Sequence, residues 1–199
     1  MIENFDIQVD EAQLNDIKKR LGKLEGKAPA VLRNAINRAA QKAKTETKQE
    51  VASRYIILQK DVAETIRVTK ASTSKLSAKL TSVGSPRALT KFKVSPKRIV
   101  TRTKRGKPSP AVYKAQVMKA GELKPLSGDP KAFFATMKSG HKGIMERVSS
   151  RRLPIKELYG PAIPSMVKNE EVLEKIKKEA AETLEKRIEA EVNNILQRG

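Results

Sequence analysis

The chain has 199 residues, enough for one domain with a core, and its 38% hydrophobic and 4% aromatic content predict a modest, mostly aliphatic one. With no cysteine, a disulfide scaffold and thiolate zinc sites are excluded, which suits a reducing compartment. The formal net charge of +20 is concentrated in residues 71–160, where 21 Lys/Arg face only Glu122, Asp129, Glu146 and Glu157. That stretch carries +17 and leaves +3 for the remainder, a field that favours an anionic partner, nucleic acid or an acidic protein surface.

Asp10 as N-cap, Gln13 at the third helical position and Glu11 in the first turn open a first helix. Leu14, Ile17, Leu21 and Leu24 continue it at helical spacing, and Gly22 and Gly26 weaken and end it. Pro29 suits the first turn of a second helix that runs to about Ser53. Its inner face, Leu32, Ala35, Ile36, Ala39, Ala43, Thr47 and Val51, is alanine-rich and permits a close neighbour, from the same chain or another subunit. Leu58 to Ile66 reads as one short helix. The longest apolar run, Tyr55–Leu58, is far below the ~20 residues of a membrane span, so no membrane partner is expected.

From Arg67 to Val148 the period moves toward two. Strands are expected over 67–70, 76–83, 111–117, 132–137 and 144–148, separated by Gly84-Ser85-Pro86, Gly106-Lys107-Pro108-Ser109-Pro110, Gly128-Asp129-Pro130 and Ser139-Gly140. This is the pattern of an antiparallel meander or hairpin sheet, not of βαβ units. Arg152 to Pro164 follows, with Pro154, Pro161 and Pro164, Gly160 and the aromatic Tyr159, and predicts a shaped, extended connector between strand and helix. The closing helix is expected after Asn169, with Glu170 and Glu171 at the positive end of its dipole. Leu173, Ile176, Ala180, Leu184, Ile188, Val192 and Ile195 form its stripe. At 1.5 Å per residue such a helix spans roughly 40 Å, which predicts that part packs on the sheet and part on a neighbour. The expected organisation is a single α+β domain over 1–199, with N-terminal helices (1–66), a basic β region (67–150), a Pro-rich connector (151–164) and a C-terminal helix (165–199).

Chemistry is poorly represented. The single histidine, His141, lies in a Gly-flanked turn with no cysteine or second histidine to share a metal, and reads as structural. No Gly-rich phosphate loop and no Gly-x-Ser-x-Gly elbow is present. The i,i+4 carboxylates Glu46/Glu50 and Glu185/Glu189 have Lys42, Lys48 and Lys186 nearby and read as solvated, salt-bridged helix faces. No catalytic residue, cofactor or metal is expected. The partner-facing candidates are instead Lys91, Lys93, Lys97, Arg98, Arg102, Lys104, Arg105 and Lys107, eight cations between Lys91 and Lys107. Alternation at 91/93 and 102/104 would project cations to one side of a strand or hairpin with Arg105-Gly106-Lys107 at its tip. Such a loop neutralises phosphates without reading bases, or meets an acidic protein, or is simply solvated. Phe92 is the only aromatic near it, so no stacking platform for single strands is expected.

Phe133-Phe134-Ala135, Gly140-His141-Lys142-Gly143-Ile144-Met145-Glu146-Arg147 and the segment from Arg152 to Pro164 together resemble the C-terminal signature of the tailed-phage minor tail protein Z family. Leu32 to Ala40, with its Asn-Arg-Ala-Ala core, and Gln59 to Val62 fit the family's helices, and Lys70–Ser72 with Leu76–Ala78 fit its first hairpin. Met145 departs from the pattern, where an aromatic is expected. The resemblance implies a structural, non-enzymatic virion or phage-like-particle component, assembled in the bacterial cytoplasm. It implies a tail-completion or neck protein that joins tail to head or caps the tail. The implied partners are copies of itself in a ring, commonly sixfold, the tail terminator, tail tube or sheath, the connector, and DNA backbone in the channel. A stand-alone DNA-binding protein and an assembly factor absent from the mature particle are the alternatives. On this view Pro154, Tyr159, Gly160, Pro161 and Pro164 form a packing element that sets the exit of the last helix.

Overall fold

The computed structural model describes residues 2–99, 112–126, 128 and 131–198. They gather into two compact units, one drawn from 1–51, 59–84 and 163–199, the other from 52–58 and 85–162. The architecture is α+β, with long N- and C-terminal helices and small, wholly antiparallel sheets.

The first unit opens with strand β1 (Ile2–Gln8) and helix α1 (Glu11–Leu21). Asp10 caps α1 reciprocally: the Gln13 N–H donates to Asp10 Oδ1 at 2.8 Å, and the Asp10 N–H donates to Gln13 Oε1 at 3.2 Å. Gly22, at φ 53°, stops the helix, and a 3-10 turn over Gly22–Lys27 leads into helix α2 (Ala28–Arg54). The predicted α2 face from Leu32 to Val51 is buried throughout. Its neighbour comes from the same chain. Asn34 Nδ2 donates to Glu191 Oε2 at 3.2 Å, Lys42 Nζ lies 3.4 Å from Glu179 Oε2, and Lys175 Nζ donates to Glu50 Oε2 at 2.6 Å. The reversed order of these partners sets the final helix antiparallel to α2.

After α2 come helix α3 (Gln59–Thr65), strands β2 (Ile66–Thr69) and β3 (Ser77–Val83), and, much later in the chain, helices α4 (Ile163–Val167) and α5 (Glu170–Arg198). The sheet order is β1–β3–β2. Its inner face packs on helices, with Ile66 and Leu80 sharing a small void with Thr47 of α2, Val167 of α4 and Ile176 of α5. Strand β1 was not expected. Its alternation is irregular, because Ile2 falls on the outer face and Glu3 on the inner, and its partner begins only at Ser77.

Along α5, Val172, Ile176, Ala180, Leu184, Ile188 and Val192 are buried at four-residue steps, with Leu173 half-buried rather than at the head of the stripe. The chain covers this stripe with its own residues as far as Val192, and α1 meets its far part through Ile17 near Ile188. Beyond Val192 the helix is less covered: Ile195 is half-buried and Leu196 is exposed.

The second unit is assembled from short strands: β4 (Arg87–Ala88), β5 (Lys93–Ser95), β6 (Lys114–Gln116), β7 (Lys124–Pro125), β8 (Phe133–Thr136), β9 (Lys142–Arg147), β10 (Ile155–Glu157) and β11 (Tyr159–Gly160). They form three sheets, β5–β6–β7, β8–β9–β10 and β4–β11. The last turn of α2 enters this unit, where Lys119 N–H donates to Arg54 O and Ile56 N–H to Val117 O, each at 2.8 Å. The expected extended connector is therefore itself paired: β10 adds to β9 and β11 adds to β4, and Ile163 and Pro164 already belong to α4. Over Ile155–Glu157 and Tyr159–Gly160 its backbone polar groups find ladder partners, which an isolated extended segment would leave to water.

Candidate functional site

Among the described members of the basic stretch, alternation holds. Phe92 and Val94 turn into the second unit's interior, while Lys91, Lys93, Lys97 and Arg98 are exposed. A 3-10 turn over Leu89–Lys91 precedes β5, which carries the pattern from Lys93. Arg102, Lys104, Arg105 and Lys107 lie outside the described residues.

Two further residues hold this surface in place. Tyr113 Oη donates to the Arg98 carbonyl at 2.9 Å, and the Tyr113 ring stacks on Phe134 with centroids 6.5 Å apart. Strand β6 contributes a cation that linear reading missed. Ser95 stands opposite Lys114, and Lys93 opposite Gln116, so Lys93 and exposed Lys114 share one sheet face. Only strand register brings them together. Gln116 is buried and its side-chain amide donates to the carbonyls of Met118, Lys119 and Gly121, which closes the turn after β6.

The connector residues pack against the cation-bearing segment. Gly160 sits against Phe92, so closely that a Cβ there would lie 2.6 Å from Phe92 Cε2. Leu89 N–H donates to Leu158 O at 3.1 Å, and Gly160 pairs with Arg87. The connector is thus the underside of the cation-bearing segment. Pro154 follows a cis peptide bond and its carbonyl accepts from Val148 N–H at 3.1 Å. Pro161 is half-buried, and Pro164 is buried in the first unit beside Gly84. Tyr159 is exposed, and its hydroxyl donates to Glu157 Oε2 at 3.0 Å, a bond that holds its phenol above the ordinary value of 10.0.

His141 packs into the same corner, with Nε2 at 3.0 Å from both Glu157 oxygens. A Cβ at Gly143 would meet Glu157 Oε1 at 2.6 Å and Met145 Cε at 2.7 Å, so Gly143 lets the carboxylate cross β9. Met145, where an aromatic is expected, is 2% exposed and pairs with both Phe133 and Glu157 in the β8–β9–β10 sheet.

The helix carboxylates differ from expectation in one respect. Glu46 and Glu50 are not solvated; they are 8% and 5% exposed, and answered by Lys42 and Lys175 rather than by Lys48. The burial is one-sided, since the Lys42 and Lys175 side chains are 40% and 53% exposed, so solvent still screens both pairs. Glu189 keeps to the solvated reading, gripped by Arg20 with contacts of 2.8 and 2.7 Å. No described helix is long and apolar enough to cross a membrane.

The family model of prophage minor tail protein Z (GPZ) matches residues 12–198 of the chain. No curated protein and no solved structure matches it.

Proposed function

We propose, from the premise that the chain belongs to the prophage minor tail protein Z family, that this structural phage tail protein completes the proximal end of the tail as a homo-oligomeric ring, joining tail to head or capping it. As a virion component it works against other tail proteins, and it performs no chemistry of its own. The family match across residues 12–198 carries this reading. The +17 charge of residues 71–160 supports its second part, that exposed Lys91, Lys93, Lys97 and Arg98 meet an anionic surface, either DNA backbone in the channel or an acidic neighbouring tail protein. Assembly in the bacterial cytoplasm belongs to the same proposal.

Native mass spectrometry of the purified protein and of particle extracts tests the ring, and only monomer in both would overturn it. Exchanging Lys91, Lys93, Lys97, Arg98, Arg102, Lys104, Arg105 and Lys107 for Ser tests the charge. If the cations face DNA, particles carrying the exchange lose retained DNA. If they face an acidic protein, tail joining fails first. Normal assembly with normal DNA retention would overturn both.

A further inference from the structure

The sheet β1–β3–β2 of the first unit ends on two open edges. Among the described residues no main-chain partner other than β3 reaches β1 or β2. An open edge is a template for another strand, and proteins that must avoid this blunt it with Pro, Lys, a bulge or an inward-pointing charge, of which β1 has only the inner-face Glu3. Strand β1, Ile2-Glu3-Asn4-Phe5-Asp6-Ile7-Gln8, has seven residues and pairs with β3 without a bulge, and it holds neither Pro nor Lys.

The two edges are unlike in charge. Strand β1 carries Glu3 and Asp6 and no cation; β2 carries Arg67 and no acid, with Lys70 directly after it. Pairing β1 with the β1 of another copy would set Glu3 and Asp6 against themselves, whereas β2 of another copy would bring Arg67 and Lys70. The inner row runs Phe5, Leu80, Val68 across the three strands. Leu80 in the middle is buried, while Phe5 and Val68 at the two edges remain half-buried. Edge-to-edge addition would continue that row with Phe5 beside a second Val68.

We infer that β1 of one copy adds to β2 of the next, extending the sheet from subunit to subunit. Both strands run antiparallel to β3, so a new pair that keeps the inner row on one face of the extended sheet is parallel. The contact is heterologous, since different edges meet, and repeated contacts of this kind close into a ring when the rotation allows. The inference rests on the ring reading above and names the surface that builds it.

The absence of native cysteine allows a direct test. Asn4 and Arg67 both face outward and are separated within one copy by Thr81 of β3, hence by two strand spacings, roughly 9–10 Å. Disulfides need Cα atoms within about 7 Å, so any bond between these positions joins two copies. The double variants Asn4→Cys/Arg67→Cys, Asn4→Cys/Thr69→Cys and Asp6→Cys/Arg67→Cys cover the in-line register and shifts of two residues. Asn4→Cys/Thr69→Cys also leaves every charge in place. Under mild oxidation, at least one double variant is expected to give a reducible ladder extending beyond the dimer, and each single variant to stay uncoupled. Covalent dimer from Asn4→Cys alone would indicate β1–β1 pairing and overturn the inference. A ring by native mass spectrometry with no ladder from any double variant would also overturn it while leaving the ring intact. Monomer alone would overturn both.

Discussion

Gly160 and Phe92 are in contact at a distance that no side chain at position 160 could tolerate, since a Cβ would approach Phe92 Cε2 to 2.6 Å. The Phe92 ring is 3% exposed and has little room to withdraw. Overpacking of this kind costs about 1–3 kcal/mol. Gly160→Ala is therefore expected to lower stability by that amount in urea unfolding, and Phe92→Leu in the same chain to recover part of it. An unchanged midpoint for Gly160→Ala would show that the contact is looser than described.

Ile176 lies at the crossing of α5 with the sheet and is 1% exposed. Ile176→Ala should destabilise by about 2–5 kcal/mol, the loss of buried methyl groups plus the cavity left behind. Leu196→Ala, on the exposed end of the same helix, should stay within about 0.5 kcal/mol. Thermal and urea midpoints measured side by side would separate the two.

The Asp10–Gln13 capping box makes the start of α1 testable alone. Asp10→Ala removes the acceptor for Gln13 N–H and should cost about 1 kcal/mol, whereas Asp10→Ser should cost far less. Helix content by circular dichroism, with the unfolding midpoint, is the measurement.

Arg20 and Glu189 give a pH signature. The two hydrogen bonds from Arg20, with its charge, hold the Glu189 carboxyl below its ordinary value of 4.5. A carboxyl depressed in the folded state contributes stability that is present above 4.5 and disappears as pH falls through its lowered value. Wild type should therefore exceed Glu189→Gln in Tm at neutral pH, with the gap closing below pH 4.5. Because both side chains are substantially solvent-accessible, added salt should narrow the gap at neutral pH as well.

The helices were legible because their signals are local. Asp10 and Gln13 sit three residues apart, the buried face of α2 repeats at helical spacing, and Glu170 opens α5 as expected. The outward alternation of Lys91 and Lys93 was legible for the same reason, since one strand's period of two needs no partner to be read. Strand β1 escaped because what makes it a strand is β3, and Ile2 and Glu3 sit on the faces opposite to those their polarity suggests.

What the sequence by itself determined is therefore the kind of protein: an α+β chain with a basic middle, capped and striped helices, and a match to a phage tail protein family over residues 12–198. Tertiary structure alone decided which of these parts meet. Lys114 joined Lys93 on one face through the β5–β6 register, the connector became the floor beneath Phe92, and Glu46 and Glu50 passed from a solvated face to buried carboxylates with exposed lysine partners. The physical reason is common to all three. Periodicity and caps are properties of neighbours along the chain, whereas strand register, close approach and desolvation are properties of residues far apart in sequence, set only when the packed fold chooses among pairings that the local pattern leaves equal.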